Sequence, residues 1–185
     1  MCKNGKTSSC HVTLRAMEPE DLDLLYRIEN DAELWAVGET NVPYSRSTLH
    51  DYIATSADDI FADRQLRLII EKDDVSPLAS NLSPLTVGIA DLINFDPRHR
   101  RAEVGIVIEQ PHRNKGYAKA ALEALHDYAR RVIHLHQLYA IVAVDNAPAR
   151  QLFLSMGYCN TATLTDWMLR SDNTYSDAVL MQLFL

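Results

Sequence analysis

Residues 110–118 (Gln110, Pro111, His112, Arg113, Asn114, Lys115, Gly116, Tyr117 and Ala118) are the stretch best suited to hold an anion. Arg113 and Lys115 bring two cations, and Gly116 lets a bulky group come close to the backbone. An apolar run over 102–108 leads in, and a helical pattern over about 117–133 leads out. That order predicts a strand, a turn on Pro111 and Gly116, and a helix start. The first turn of a helix leaves N–H groups unpaired at the positive end of its dipole, which suits a phosphate. The stretch is neither G-x-x-x-x-G-K-[ST] nor G-x-G-x-x-G. The plainer reading is a basic turn that caps a surface helix.

Composition limits the function classes. At 185 residues the chain has length for one domain with a sizeable core. A formal net charge of −7 argues against general nucleic-acid binding and is compatible with a cationic substrate. Cys2, Cys10 and Cys159 form no C-x-x-C pair and are expected as free thiols in a reducing compartment. There is no apolar run long enough for a membrane span and no signal-peptide core. A cytoplasmic protein is therefore expected, with no membrane partner.

The elements that would position the turn follow from periodicity. Residues 1–10 read as a flexible tail, and 11–185 as a single domain. Residues 11–15 alternate as a first strand. A helix with Pro19 in its first turn then runs to about Asn30, its stripe made by Leu22, Leu25 and Ile28. Residues 31–44 lack periodicity and mix Trp35, Gly38, Glu39, Pro43 and Tyr44, a composition suited to a loop lining a site or to a connection with a packed Trp. Ser45 or Ser47 caps a second helix to about Ala57. Strands are expected over 65–72, 85–95 and 102–109, the last two joined as a hairpin by 96–101. The long helix after the turn has one apolar face from Ala118, Ala121, Leu122, Leu125, Ala129 and Val132. A strand over 137–144 follows, then a short helix over 147–156 capped by Asn146 and ended by Gly157. A strand over 158–164 and a hairpin of 167–170 with 178–185 close the chain. The order is that of a mixed α/β protein around one sheet.

Several of these stretches resemble one family. The turn fits Arg/Gln-x-x-Gly-x-Gly/Ala as Arg113, Gly116 and Ala118, the pyrophosphate signature of the Gcn5-related N-acetyltransferase (GNAT) superfamily. The opening Leu14-Arg15 with Glu20-Asp21-Leu22, the run 100–106 with Glu103, and Asn146-x-x-Ala149 followed by Phe153, Gly157 and Tyr158 match that family in order. Within it the chain resembles bacterial spermidine (diamine) N-acetyltransferases and ribosomal-protein N-terminal acetyltransferases. Residues 100–103, the acidic-aromatic 35–44 and the end hairpin favour the polyamine side. The resemblance implies an α/β (α+β) GNAT fold. Its single central sheet would be mixed, mostly antiparallel and twisted, with about seven strands and about four flanking helices. It also implies acetyl-CoA as co-substrate, a small-molecule amine as acceptor, and room for a homo-oligomer built as a sheet-edge dimer or a ring; the spacing of the histidines argues for no metal.

Acetyl transfer then sets three demands. An alkylammonium has a pKa of about 10.4, so only about one in a thousand or fewer is neutral at pH 7, and a base or base-held water helps. Glu103 is the first candidate and Glu39 the second. Either carboxylate could instead hold a cationic substrate, with Trp35 beside it, and Glu103 could simply pair with Arg100 or Arg101. Charge on the thioester oxygen needs fixed N–H donors. The resemblance places these in the fourth strand, at Ile106, Val107 and Ile108, where a bulge frees amides for the acetyl and pantetheine portions. The pyrophosphate would rest on Arg113, Asn114, Lys115, Gly116, Tyr117 and Ala118. Asn146 would bond pantetheine or cap its own helix, and the two are compatible. The third demand is a proton for the leaving thiolate. Many relatives place a tyrosine there, where this chain has Phe153, with Ser155 and Tyr158 nearby in sequence. That departure leaves a non-catalytic acyl-CoA-binding module as an alternative, beside an N-terminal acetyltransferase acting on a protein. His134 and His136 are the one close histidine pair, and they lack an acidic or Cys partner at ligand spacing.

Overall fold

The computed structural model describes residues 10–35, 42–72, 85–170 and 172–185. Glu39, most of the tail and the turn residue Ser171 lie outside the described residues. Seven strands form one sheet in the order β1-β2-β3-β4-β5-β7-β6. They are β1 (Val12–Ala16), β2 (Leu66–Lys72), β3 (Leu85–Asp96), β4 (Arg101–Ile108), β5 (Gln137–Ala143), β6 (Cys159–Leu169) and β7 (Tyr175–Phe184). All neighbours are antiparallel except β4 and β5. The expected mixed, mostly antiparallel sheet is what the chain forms.

The helices are α1 (Leu22–Glu29), α2 (Ala32–Trp35), α3 (Arg46–Thr55), α4 (Ile60–Asp63), α5 (Tyr117–Arg131) and α6 (Ala147–Ser155). Each face of the sheet carries its own core. On one, α5 and α6 bury Leu122, Leu125, Ala129 and Phe153 against Ala102, Val104, Ile108 and Leu138. On the other, α1 and α3 bury Leu25, Ile28 and Leu49 against Ile69 and Ile89, with Val107 packed alongside. Each fully buried leucine is worth about 1.5–3 kcal/mol. The pleat alternates side chains between faces. Along β4, Ala102, Val104, Ile106 and Ile108 therefore face α5, while Glu103, Gly105 and Val107 face α1 and α3.

Some elements differ from the periodicity. The two strands expected over 158–164 and 167–170 are one, β6, whose register to β7 shifts between Leu164 and Met168. Asp166 takes a left-handed φ of 49° there, and its N–H donates to Asp177 Oδ1 at 3.0 Å, so the strand continues past the irregularity. The four-residue helices α2 and α4 are too short to show a period. Cys10, expected in the tail, is half-buried against the α5 core.

Charge pairs join the first strand to the first helix. Arg15 forks onto Asp21, Nη1–Oδ2 2.6 Å and Nη2–Oδ1 2.8 Å, and its Nε reaches Glu71 Oε1 at 2.5 Å. Asp21 is 4% exposed. Burial alone would raise its carboxyl, but hydrogen bonds from Arg15 and the Glu18 N–H outweigh it and hold it below the ordinary range. A depressed folded value stabilises the protein fully above the ordinary carboxyl pKa, and that share is lost as pH falls through the lower folded value. Asp21→Asn is expected to cost about 2 kcal/mol at pH 7, less than a fully buried pair would, because Arg15 is 29% exposed. Urea midpoints measured from pH 7 down to pH 3 should fall less steeply in the variant below about pH 4.

Candidate active site

The central feature is where β4 leaves β5. The two pair in parallel over only three rungs, Arg101 with Gln137, Ala102 with Leu138 and Glu103 with Tyr139. Beyond Glu103 they part, while β5 stays on β7 as far as Ala143 with Ala178. The edge of β4 from Val104 to Ile108 is therefore open on that side among the described residues. The Glu109 N–H donates to Val87 of β3 at 3.0 Å, so antiparallel alternation turns the amide edge of Ile108 and Ile106 the other way, into the gap. The Ile108 carbonyl points there too, accepting from Arg113 Nε at 3.0 Å.

The bulge expected in β4 is not in its ladder to β3, which is continuous from Glu103 to Ile108. The amides are exposed by the parting of the strands. Two irregularities fall on β3 instead. One, between Ile93 and Asp96, contains Asn94 at φ 51°. The other lies at Gly88, where the register to β2 shifts and a Cβ would come 2.1 Å from the Val107 carbonyl oxygen. Only glycine allows β4 that close there.

The turn after β4 is built as the sequence predicts. A 3-10 turn over Gln110–His112 carries Pro111, and Asn114 and Gly116 follow at φ 61° and 89°. Lys115 Nζ donates to the Pro111 carbonyl at 2.8 Å, which draws the loop over itself. Gly116 is the N-cap of α5, without a side-chain cap and with no acidic residue in the first turn. Arg113, Asn114, Lys115 and Gly116 are exposed, Ala118 is half-buried and Tyr117 is buried. The loop offers N–H groups and cations to an anion, with no carboxylate to compete. It fits the diphosphate of a CoA thioester, whose pantetheine arm would run down the open edge of β4. Ile108 to Glu103 is five steps along the strand, about 17 Å at strand rise.

Glu103 is half-buried at the last rung, with Asn94 Nδ2 donating to its Oε2 at 2.9 Å. Trp35 is half-buried in α2, its Nε1 donating to the Glu29 carbonyl at 2.8 Å. Asn146 caps α6, its Oδ1 accepting from the Ala149 N–H at 3.2 Å, at the end of β5 that borders the gap. Phe153 is 4% exposed and meets the Tyr158 ring edge-on at 4.9 Å. The Tyr158 hydroxyl lies in the core, 3.1 Å from His126 Nε2, and burial pushes its pKa above the ordinary range. Ser155 Oγ donates to the Leu152 carbonyl of its own helix. Neither hydroxyl near Phe153 in sequence thus stands in for the missing tyrosine.

Sequence reasoning missed the α1 side. A cavity of about 250 Å³ lies between α1–α2 and the end of β4, walled by Ile28, Asp31, Leu34, Val107 and Pro111. Arg27 Nε bridges Glu109 Oε1 across it at 2.8 Å. Beneath α1, Arg67 holds Asp91 with two bonds, 2.9 and 3.0 Å, and Glu29 with a third at 2.5 Å. These partners are distant from Arg67 in sequence, so periodicity places Arg67 only within a strand. Among the described residues no group of His, Cys, Asp and Glu is placed to hold a metal ion, and no helix is long and apolar enough to cross a membrane.

A sheet opened between β4 and β5, with an anion loop at its mouth, is the frame of an acyl-CoA-dependent acyltransferase. Residues 11–158 match the acetyltransferase (GNAT) domain family, and the chain belongs to it. It is an acetyl-CoA-dependent N-acetyltransferase. The spermidine N(1)-acetyltransferase of Vibrio cholerae is 26% identical over 155 residues, 84% of this chain and 83% of that one. The enzyme of that name from Escherichia coli K12 is 27% identical over 154 residues, 82% and 74% of the two chains. A crystal structure of the V. cholerae spermidine N-acetyltransferase with CoA and spermine is 25% identical, with a TM-score of 0.79 over 94% of this chain and 95% of that one.

Gly116→Asp would put a carboxylate where the loop offers N–H groups. Isothermal titration with acetyl-CoA should show at least about a tenfold loss of affinity. Near-normal affinity in a folded Gly116→Asp protein would remove the loop from the binding site.

Proposed function

We propose that this chain acetylates a primary amine of a polyamine such as spermidine, by direct attack on acetyl-CoA in a ternary complex. The observation that carries this reading is the single path from the cationic loop, down the open edge of β4, to Glu103. Glu103 and the cavity lie on the same α1-facing side of the sheet. The similarity to two spermidine N(1)-acetyltransferases over most of each chain supports the acceptor class. At the cavity Glu109 is paired with Arg27, and Asp31 brings a further carboxylate toward which an ammonium group could turn.

In this reading acetyl-CoA supplies the acyl group and a thiolate leaving group. Arg113, Lys115 and the N–H groups of residues 114–118 hold the diphosphate. Main-chain groups of Ile106 and Ile108 hold the pantetheine and the thioester oxygen, whereas the Val107 main chain, expected to join them, faces β3 opposite Ile89; Asn146 lines the β5 side while capping α6. Glu103 accepts the proton of the attacking amine, directly or through water. Trp35, Glu39 and Asp31 contact the acceptor, with Glu39 the second candidate base. The single domain over 11–185, a reducing cytoplasmic setting and a homo-oligomer belong to the same reading. A further V. cholerae spermidine N-acetyltransferase structure is dodecameric.

The test is thiol release from acetyl-CoA with spermidine, spermine, putrescine, lysine and N-terminal peptides. Turnover is expected on the polyamines, and Glu103→Gln should lower it by about a hundredfold or more. Turnover on peptides alone would move the chain to the protein-modifying acetyltransferases.

A further inference from the structure

Glu103 is bracketed from both neighbouring strands. On the β3 side, the bulge at Ile93–Asp96 turns Asn94 so that its amide reaches Glu103 Oε2 at 2.9 Å. On the β5 side, Tyr139 is the direct partner of Glu103 in the last rung before the strands part, so the two side chains stand next to each other on one face of the sheet. Tyr139 lies on the α1-facing side with Glu103, since Leu138, Ala140 and Val142 face the α5 core. The sheet irregularity and the end of the ladder thus converge on one carboxylate. A bulge that re-aims a side chain next to a reacting centre is a recurrent device.

We propose that Tyr139 is the positioning residue of the reaction: its hydroxyl donates to Glu103 and fixes that carboxylate, ionised, at the closed end of the gap between β4 and β5. The inference rests on the acetyl-transfer reading with Glu103 as proton acceptor. As the amine nitrogen bonds the acetyl carbon, its proton passes to Glu103, and the carbon–sulfur bond breaks with its electron pair leaving on sulfur. Tyr139 keeps its own proton throughout. Burial first, and then the Glu103 charge, push the phenol above its ordinary range, so it remains a donor at neutral pH. The other charges near the pair are Arg101 of β4 and Asp96 at the end of β3. Arg67, Asp91 and Glu29 occupy the next row of the same face, where Asp91 pairs with Gly105. From β7 the neighbour of Tyr139 is the neutral Gln182.

The experiment compares the wild type, Tyr139→Phe, Glu103→Gln and the double variant. A structural phenol would change stability alone. A positioning phenol changes the proton chemistry. Losing an O–H donor disfavours the ionised carboxylate, so the acid limb of kcat/KM in Tyr139→Phe should move up by about one pH unit. Its kcat should fall about tenfold, with KM for acetyl-CoA unchanged. In the double variant the loss should equal that of Glu103→Gln alone. Carbon-detected NMR titration of the Glu103 carboxyl gives an activity-free readout, and its midpoint should rise in Tyr139→Phe. An unmoved midpoint, or an additive double variant, overturns the proposal whatever the acceptor. A risen midpoint together with a fully active Glu103→Gln overturns the assignment of Glu103 as proton acceptor, and with it the catalytic role of Tyr139. A wild type inactive on polyamines bears on the acceptor alone, because the titration still decides for Tyr139.

Discussion

The structure depends on a ladder that stops. β4 and β5 share three parallel rungs and then part, although both strands run on. A continuous sheet would satisfy the backbone of residues 104–108 internally and leave nothing for a ligand. Buried main-chain N–H and C=O groups need partners, so a parted pair of strands is stable only where solvent or a ligand can reach in. The opening is kept by what each strand does elsewhere. β5 is committed to β7 along its whole length, and β4 to β3 from Glu103 to Ile108. Leu138, Ala140 and Val142 hold one strand to the α5 core, and Ala102, Val104 and Ile108 the other.

The two faces of the sheet then divide the labour. On one, α5 starts from a left-handed Gly116 and points its first turn at the mouth of the gap. On the other, α1 is fastened to the sheet by charge. Arg67 is 20% exposed and holds both Asp91 and Glu29, and Tyr52 lies 5.7 Å beneath its guanidinium. Breaking such a pair by removing one partner is far more costly than the pair is stabilising. Glu29 ends α1, its carbonyl takes the Trp35 indole, and Asn30 bonds both the N–H and the carbonyl of Tyr44. Arg67 thereby anchors the end of α1, and the neighbouring Asn30 ties that end to Tyr44.

What the sequence reveals is what is local. The α5 stripe of Ala121, Leu122, Leu125 and Ala129, the caps at Ser45 and Asn146 and the loop at 110–118 are governed by residues within a few positions of one another and are found as expected, whereas Val132, expected on the same stripe, falls past the helix end and is exposed. Periodicity reports that 102–108 is a strand with two buried faces, but not that its second partner leaves after three rungs. That depends on the paths of β3, β5 and β7. The Asn94 bulge, the Arg67 pairs and the Glu103–Tyr139 rung are likewise long-range. Tyr139 reads from the sequence as one more β-forming aromatic. The same limit explains β6, where the polar break at Thr165–Asp166 marks a register shift that Asp177 supports from the facing strand.

The substitution at position 153 bears on how the leaving group is handled. Phe153 keeps the aromatic ring and its packing but has no proton to give. Tyr158, whose ring meets that of Phe153 edge-on, has its hydroxyl turned to His126 in the core. His126 does not supply a proton there either. Burial first, then Arg130, lower its pKa to about 4, so it is neutral at physiological pH. Among the described residues, none of the groups around Phe153 is placed as an acid for the thiolate. A thiolate is a weak enough base to leave without being protonated as the bond breaks, whereas the amine cannot attack while it carries its proton. In the proposed reading, with Glu103 as proton acceptor and no matching donor among the described residues, the machinery stands on the more demanding of the two transfers. That is the side on which Asn94, Glu103 and Tyr139 stand.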